Sequence, residues 1–299
     1  MLTQTNDEAL LITGLLRRRG IEARLVQDND GFDVCNLLEL RFFLKKLREG
    51  SSAAFIAEEA WEQAEAAMRS KFAGSTALPL ALEILGAFRR AHEKRYRSDL
   101  EMFLHESQMQ DFTAPEKGQV VVSTIHKAKG REFDGVYMLL DPLKARTDEE
   151  LRVLYVGMTR ARNLLHIHCR GEWPALEKAH ALRVADDAAA YPEPSETVMQ
   201  LGLRDVFLGF CKAKQRAIFR IMSGEILECR GSELGTRMGS GFYPLLRFSK
   251  SFQEKLARLK GYAPVSATVR FIVVWKDLEE QKEYAVPLPD LTLKKLREG

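Results

Sequence analysis

Donors suited to phosphate oxygens are gathered at the end of one apolar run, Val120-Val121-Val122-Ser123-Thr124-Ile125-His126-Lys127-Ala128-Lys129-Gly130-Arg131-Glu132-Phe133-Asp134. The β-branched residues predict a buried strand, so Thr124, His126 and Lys127 fall where it ends, the edge at which open α/β sheets bind ligands. Hydroxyl, imidazole and ammonium groups there can hold a phosphate backbone, and such contacts position a strand without reading its sequence. A second stretch, Glu149-Glu150-Leu151-Arg152-Val153-Leu154-Tyr155-Val156-Gly157-Met158-Thr159-Arg160-Ala161-Arg162, carries Arg160 in a Gly-Met-Thr-Arg turn. Leu151, Leu154 and Tyr155 recur at i, i+3, i+4, which predicts a short buried helix before that turn. The strand Leu164-Leu165-His166-Ile167-His168 follows.

Together these residues resemble motifs V and VI of the UvrD/Rep-type superfamily 1 DNA helicases. Motif V there reads Thr-x-His-x-x-Lys-Gly-x-Glu-Phe before a strand, and motif VI reads Glu-Glu-x-Arg-x-x-Tyr-Val-x-x-Thr-Arg-Ala. Each fixed position is matched here, in order. The resemblance implies the second RecA-like domain of such a motor, an α/β fold with a parallel sheet, acting with ATP and Mg. Arg160 takes the place of the arginine finger, a group that can raise phosphoryl-transfer rates by roughly 10³ to 10⁵. Glu132, with Gly130, takes the place of the ribose contact; Thr124, His126 and Lys127 take the place of the single-stranded DNA contacts. Each residue has a plainer alternative. Arg160 could pair with a carboxylate, Thr124 cap a turn and His126 bond to backbone. Glu149 and Glu150 are expected to orient the helix and its arginines, and no metal ligand is expected among them.

Around these motifs the chain divides by pattern. Residues 1–49 and 113–182 are expected to form the discontinuous RecA-like domain, opening with a strand end at Leu2-Thr3-Gln4-Thr5-Asn6 that resembles motif IVa. A helix over 8–20, a strand over 23–27, a turn at Asp28–Gly31 and an amphipathic helix over 36–48 follow. Residues 50–112 read as a helical insertion, with helices near 53–72, 78–96 and 98–109, shorter than the subdomain the family carries there. Thr113–Gly118 reads as a short linker. The acidic, Pro- and Ala-rich composition around Arg183–Thr197 predicts an interdomain linker over 183–204. Residues 205–299 alternate strand candidates (216–221, 226–230, 243–248, 267–275 and 283–288) with turns such as Gly239-Ser240-Gly241 and one helix near 250–260, which predicts a β-rich, barrel-like domain.

Composition sets the outer limits. Of the 299 residues 45% are hydrophobic, and none of the apolar runs reaches the roughly 18 residues of a membrane span. The first residues lack a signal-peptide pattern, so a cytoplasmic location and no membrane partner are expected. Residues 205–299 carry 17 Lys+Arg against 11 Asp+Glu, whereas residues 1–204 carry 28 against 31. That surplus is either an electrostatic footprint for nucleic acid or ordinary solvated side chains. Cys35, Cys169, Cys211 and Cys229 form no C-x-x-C pair, so neither a zinc site nor a disulfide framework is indicated. His166, His168 and Cys169 do not converge, because in a strand His166 and His168 share one face while Cys169 points to the other.

No Gly-x-x-x-x-Gly-Lys-Ser/Thr loop occurs in the 299 residues, and Asp148-Glu149-Glu150 opens a helix where a magnesium-binding pair would end an apolar strand. The expectation is half of a helicase or translocase, completed by an N-terminal domain in cis or in trans. The alternatives are a non-catalytic module that retains the fold to bind DNA through motif V and its basic C-terminal domain, and a chain whose C-terminal domain, residues 205–299, is a protein-docking domain that brings it to a repair or transcription complex. The first expectation gives a direct test: the purified 299-residue chain should show no DNA-stimulated ATP hydrolysis above background, and turnover abolished by Arg160→Ala would overturn it.

Overall fold

A computed structural model describes residues 1–26, 32–50, 53–107, 109–112, 119–140, 147–169, 194–239, 241–259 and 261–296. Strand β1 (Leu2–Thr3) leads to Thr5, whose side chain accepts from the Glu8 amide at 3.2 Å while the Glu8 carboxylate accepts from the Thr5 amide at 3.0 Å. This reciprocal cap starts α1 (Asn6–Arg18), which buries Ala9, Leu10 and Thr13 and ends on Arg17 and Arg18. Strand β2 (Ala23–Leu25) follows. A 3₁₀ turn at Val34–Asn36 enters α2 (Leu38–Gly50), then α3 (Glu58–Lys71), α4 (Leu78–Ala91), α5 (Arg97–Glu106) and the short α6 (Met109–Phe112).

The motif-bearing part is β3 (Val120–Thr124), a 3₁₀ turn at His126–Ala128, β4 (Phe133–Leu140), α7 (Asp148–Met158) and β5 (Ala161–Cys169). Beyond it come β6 (Glu196–Gln200), α8 (Leu208–Lys212), α9 (Gln215–Ile218), β7 (Ile226–Arg230), β8 (Glu233–Met238), β9 (Gly241–Arg247), α10 (Lys250–Arg258), β10 (Tyr262–Asp277) and β11 (Lys282–Lys295). No described helix is long and apolar enough to cross a membrane.

These elements form two compact units, Met1–Asp28 with Pro115–Thr197, and Asn29–Ala114 with Val198–Gly299. In the first, a five-stranded parallel sheet has the order β2-β3-β1-β4-β5. Its core joins Leu2, Ile125, Val136, Met138 and Leu140 to Leu154 of α7. The chain therefore has the α/β, RecA-like arrangement expected, together with a separate antiparallel sheet in its C-terminal region.

The second unit divides differently from the pattern in the sequence. The apolar face of α2 packs on the helices after it: the Phe43 and Trp61 rings lie 4.9 Å apart, Trp61 stacks on Phe88 at 6.0 Å, and Phe88 meets Phe103 at 5.4 Å. Leu37, just ahead of α2, bridges to Val273 of β10. Residues 36–48 thus join the helices of 50–112 and the β-rich part, not the parallel sheet, because a helix goes where its apolar stripe is covered. The antiparallel sheet has the order β6-β11-β10-β7-β8-β9, an open sheet with β6 and β9 at its edges and not a closed barrel.

Other elements also differ from expectation. Residues 215–218 are helical where a strand over 216–221 was expected, and β8 was not foreseen. Residues 196–200, within the expected linker, form β6, with Met199 buried. The turn at Asp28–Gly31, the linker Thr113–Gly118, the linker stretch 183–193 and Ser240 lie outside the described residues. Several basic residues after residue 205 are paired with acids of the same segment: Lys212 with Asp277 and Glu280, Arg237 with Glu228, Arg247 with Glu233 and Arg270 with Asp290.

The tightest backbone approach in this sheet is at Gly235. A Cβ there would lie 2.1 Å from the Tyr243 carbonyl oxygen and 2.8 Å from Pro244 Cα, beside the register shift between β8 and β9. Since both obstacles are backbone, Gly235→Ala should cost about 3 kcal/mol or more in urea denaturation. Gly231→Ala, at a positive φ with open space around it, should cost about 1 kcal/mol. Equal losses at the two positions would contradict the packing argument.

Candidate functional site

Pairing in the parallel sheet fixes where each motif residue stands. Leu2 is opposite Ser123 on one side and Met138 on the other, and Met138 is opposite Ile167, so these residues share one level of the sheet. Thr124 lies one residue beyond that level, at the C-terminal edge, whereas Phe133 lies five residues before it. At about 3.3 Å per residue, the two ends of the loop from Ile125 to Glu132 are separated by about 20 Å along the strands. Thr124, His126 and Lys127 thus occupy one edge of the sheet, and Gly130, Glu132 and Arg160 the other.

At the first edge Thr124 is 7% exposed and His126 is open to solvent. The Lys127 ammonium donates to Asn6 Oδ1 at 2.8 Å, a bond between two motif segments 121 residues apart. Beside them is a cavity of about 330 Å³ lined by Ile125, His126, Lys129, Glu149, Arg152, Val153 and Val156. Lys129 and Arg152 are fixed positions of the two motifs, but the sequence gives neither a ligand role. The signal was present in the spacing of Glu149, Arg152, Val153 and Val156 along one face of α7.

α7 is itself started by a reciprocal cap: Thr147 Oγ1 accepts from the Glu150 amide at 3.2 Å, and the Glu150 carboxylate accepts from the Thr147 amide at 3.1 Å. Glu150 is therefore a helix-starting residue. The face that α7 buries is Leu154 and Gly157, where a Cβ would press on the Met138 side chain. Leu151 and Tyr155, expected inward, are 45% and 69% exposed. The i, i+3, i+4 spacing was real, but small Gly157 is what meets the sheet.

At the second edge Arg160 ties the two motifs together. Its Nε donates to the Val156 carbonyl at 2.8 Å, Nη1 to the Arg131 carbonyl at 3.0 Å and Nη2 to Thr159 Oγ1 at 3.0 Å. The Phe133 amide in turn donates to the Arg160 carbonyl at 2.8 Å. Gly130, at φ +83°, makes the turn into β4. The Glu132 carboxylate accepts from Arg162 Nε at 3.0 Å, and both side chains are exposed. On the outer face of β4 and β5, Tyr137 stacks on His166 at 4.6 Å and on His168 at 6.3 Å, so these imidazoles serve as strand residues.

A single loop thus joins the two edges of one parallel sheet. Residues 119–168 match the family model of the UvrD-like helicase C-terminal domain. A stretch of 69 residues is 44% identical to the ATP-dependent DNA helicase HMI1, mitochondrial, of Saccharomyces cerevisiae. That match covers 23% of this chain and 10% of the yeast protein, so the chain spans about a tenth of the length of the curated relative it matches.

Gly130 offers a local test of the second edge. With nothing within 4 Å of an added Cβ, the only penalty for Gly130→Ala is the left-handed backbone. The substitution should cost about 1 kcal/mol in urea denaturation, and Gly130→Asn less, because asparagine tolerates that region. A neutral Gly130→Ala would mean that the turn relaxes freely.

Proposed function

We propose that the first unit is the C-terminal motor half of an ATP-dependent superfamily 1 DNA helicase or translocase, with its nucleotide site completed by an N-terminal domain in cis or in trans. The observation that carries this is the contact of Arg160 with the loop that also bears Glu132 and His126. One segment thereby touches both the edge assigned to nucleotide and the edge assigned to DNA. A shift of Arg160 on phosphate has a covalent path, through Arg131 to Lys129, into the cavity beside His126.

The groups present suit the ligands. Arg160 uses three of its five N–H donors in the bonds described, and the other two can serve γ-phosphate oxygens. The exposed Glu132 carboxylate can accept from ribose hydroxyls by releasing Arg162, and Gly130 leaves the backbone approachable. His126, Lys129 and Arg152 around an apolar floor can take a phosphate backbone and a sugar face. ATP supplies the phosphoryl group. Magnesium would be shared with the N-terminal domain, because Asp148-Glu149-Glu150 opens α7 and does not end an apolar strand.

One observation favours a second reading, a non-catalytic DNA- or protein-binding module: the Arg160 guanidinium is already held by three acceptors of its own unit. Kinetics separate the two. In the complete motor, with the N-terminal half supplied, Arg160→Ala should lower kcat roughly 10³-fold, about 4 kcal/mol of transition-state stabilisation. Arg160→Lys should rescue little, because an ammonium cannot reproduce the guanidinium fork. Glu132→Ala should raise KM for ATP more than it lowers kcat. His126→Ala should reduce stimulation by single-stranded DNA while sparing basal hydrolysis. Turnover within a few-fold of wild type in Arg160→Ala would favour the binding module.

A further inference from the structure

In the second unit, far from the helicase motifs in sequence, three side chains of metal-binding type converge. Asp33 caps the 3₁₀ turn Val34–Asn36 and Cys35 lies within it, while His105 is in the last turn of α5, 70 residues further on. Cys35 Sγ is 3.6 Å from His105 Nδ1, and Asp33 Oδ2 is 3.5 Å from the same nitrogen. The three ligand atoms all lie within 4.8 Å of one another.

Those distances discriminate among chemistries. In a nucleophile-imidazole-carboxylate relay the thiol and the carboxylate engage opposite ring nitrogens; here the carboxylate lies by Nδ1, and Cys35 Sγ lies across the same side of the ring, 3.6 Å from Nδ1 and 3.9 Å from Nε2. A tetrahedral zinc with bonds of about 2.3 Å to sulfur, 2.05 Å to nitrogen and 2.1 Å to oxygen would hold S and N about 3.6 Å apart and N and O about 3.4 Å apart. The observed 3.6 and 3.5 Å fall at those spacings, and the His105 ring and the Asp33 carboxylate, 62% and 59% exposed, have the freedom to turn so that Sγ leaves Nε2 and the oxygen comes closer to the sulfur.

We propose that Asp33, Cys35 and His105 form a three-ligand site for a thiophilic divalent cation of the zinc class. A thiolate and a carboxylate together neutralise the dication, and a ligand set of one sulfur, one nitrogen and one oxygen excludes the oxygen-seeking magnesium and calcium. The thiol gives its proton to solvent as the metal enters. The sulfur is buried and the imidazole and carboxylate are more than half exposed, so the metal sits at the surface with its fourth position open to water. Its effect is to clamp the start of the α2 segment to the end of α5, closing a 70-residue span within the unit. The sequence pattern gave no sign of this, because Asp-x-Cys with a single distant histidine matches no common ligand spacing.

The test uses the full chain, stripped with chelator and titrated with cobalt(II), then with zinc(II). One equivalent of cobalt should give a thiolate-to-cobalt charge-transfer band, displaced by zinc, and zinc should raise the Tm in a chelator-reversible way. Cys35→Ser should abolish the band, and His105→Ala should weaken cobalt binding at least tenfold. The double variant His166→Ala/His168→Ala and Cys169→Ser, at the exposed end of β5, should bind as wild type. A band that survives Cys35→Ser, or a wild-type chain that takes up no cobalt, overturns the proposal. So does a Tm indifferent to zinc and chelator, which would make the trio a hydrogen-bonded contact only. If either variant fails to fold, the wild-type spectrum and the chelator dependence of its Tm still decide.

Discussion

Because β4 and β5 run parallel, with Phe133 opposite Ala161 and Leu140 opposite Cys169, the chain that leaves the end of one must return to the beginning of the other. α7 makes that return. Whatever precedes β4 must therefore stand beside whatever precedes β5, and these are the Gly130–Glu132 turn and Arg160. The guanidinium contacts to Val156 and Arg131 then need no special device beyond a tight exit from α7. β1 supplies the other half of the constraint: its two residues sit between β3 and β4 and align the edge that carries Thr124. A loop of eight residues between β3 and β4 is consequently stretched from one ligand edge to the other.

The loop is anchored along its length. Its middle is fixed by Ala128, which is buried in the core, and by the backbone bond from Arg131 to Ala128. The end that follows Thr124 is held by Lys127 on Asn6, and the end that enters β4 by Arg160. Each of these hydrogen bonds is worth about 1 kcal/mol or somewhat more where a charge is involved. Tethers of that size can be exchanged for ligand contacts without threatening the fold, whose stability comes from the apolar residues beneath.

The second unit rests on a different principle. Phe43, Trp61, Phe88 and Phe103 form a continuous aromatic cluster among α2, α3, α4 and α5, and the long β10–β11 hairpin supplies the sheet beside it. One polar feature lies in this apolar setting: Glu39 is buried, with Ser75 donating to one carboxylate oxygen at 2.6 Å, and burial pushes its carboxyl above the usual carboxylate range. The hairpin end is secured by Lys212, held by Asp277 and Glu280, whose pairing lifts the ammonium above its ordinary range.

The motif residues themselves were legible from the chain: Thr124, His126, Gly130, Glu132 and Arg160 are recognisable by type and spacing, and β3, α7, α10 and the long hairpin follow from periodicity and capping signals, since those are local properties. Exposure on α7 was not legible, because a period of 3.6 says which residues share a face but not which face is covered, and the sheet selected Leu154 and Gly157 over Leu151 and Tyr155. The same ambiguity hid the allegiance of α2, an apolar stripe that could have served either unit until Trp61 and Val273 were placed against it. The two-edged site and the Asp33-Cys35-His105 cluster lay further still from the sequence. The first depends on strand register and the second on a contact 70 residues long, and both are set by how the elements pack once formed.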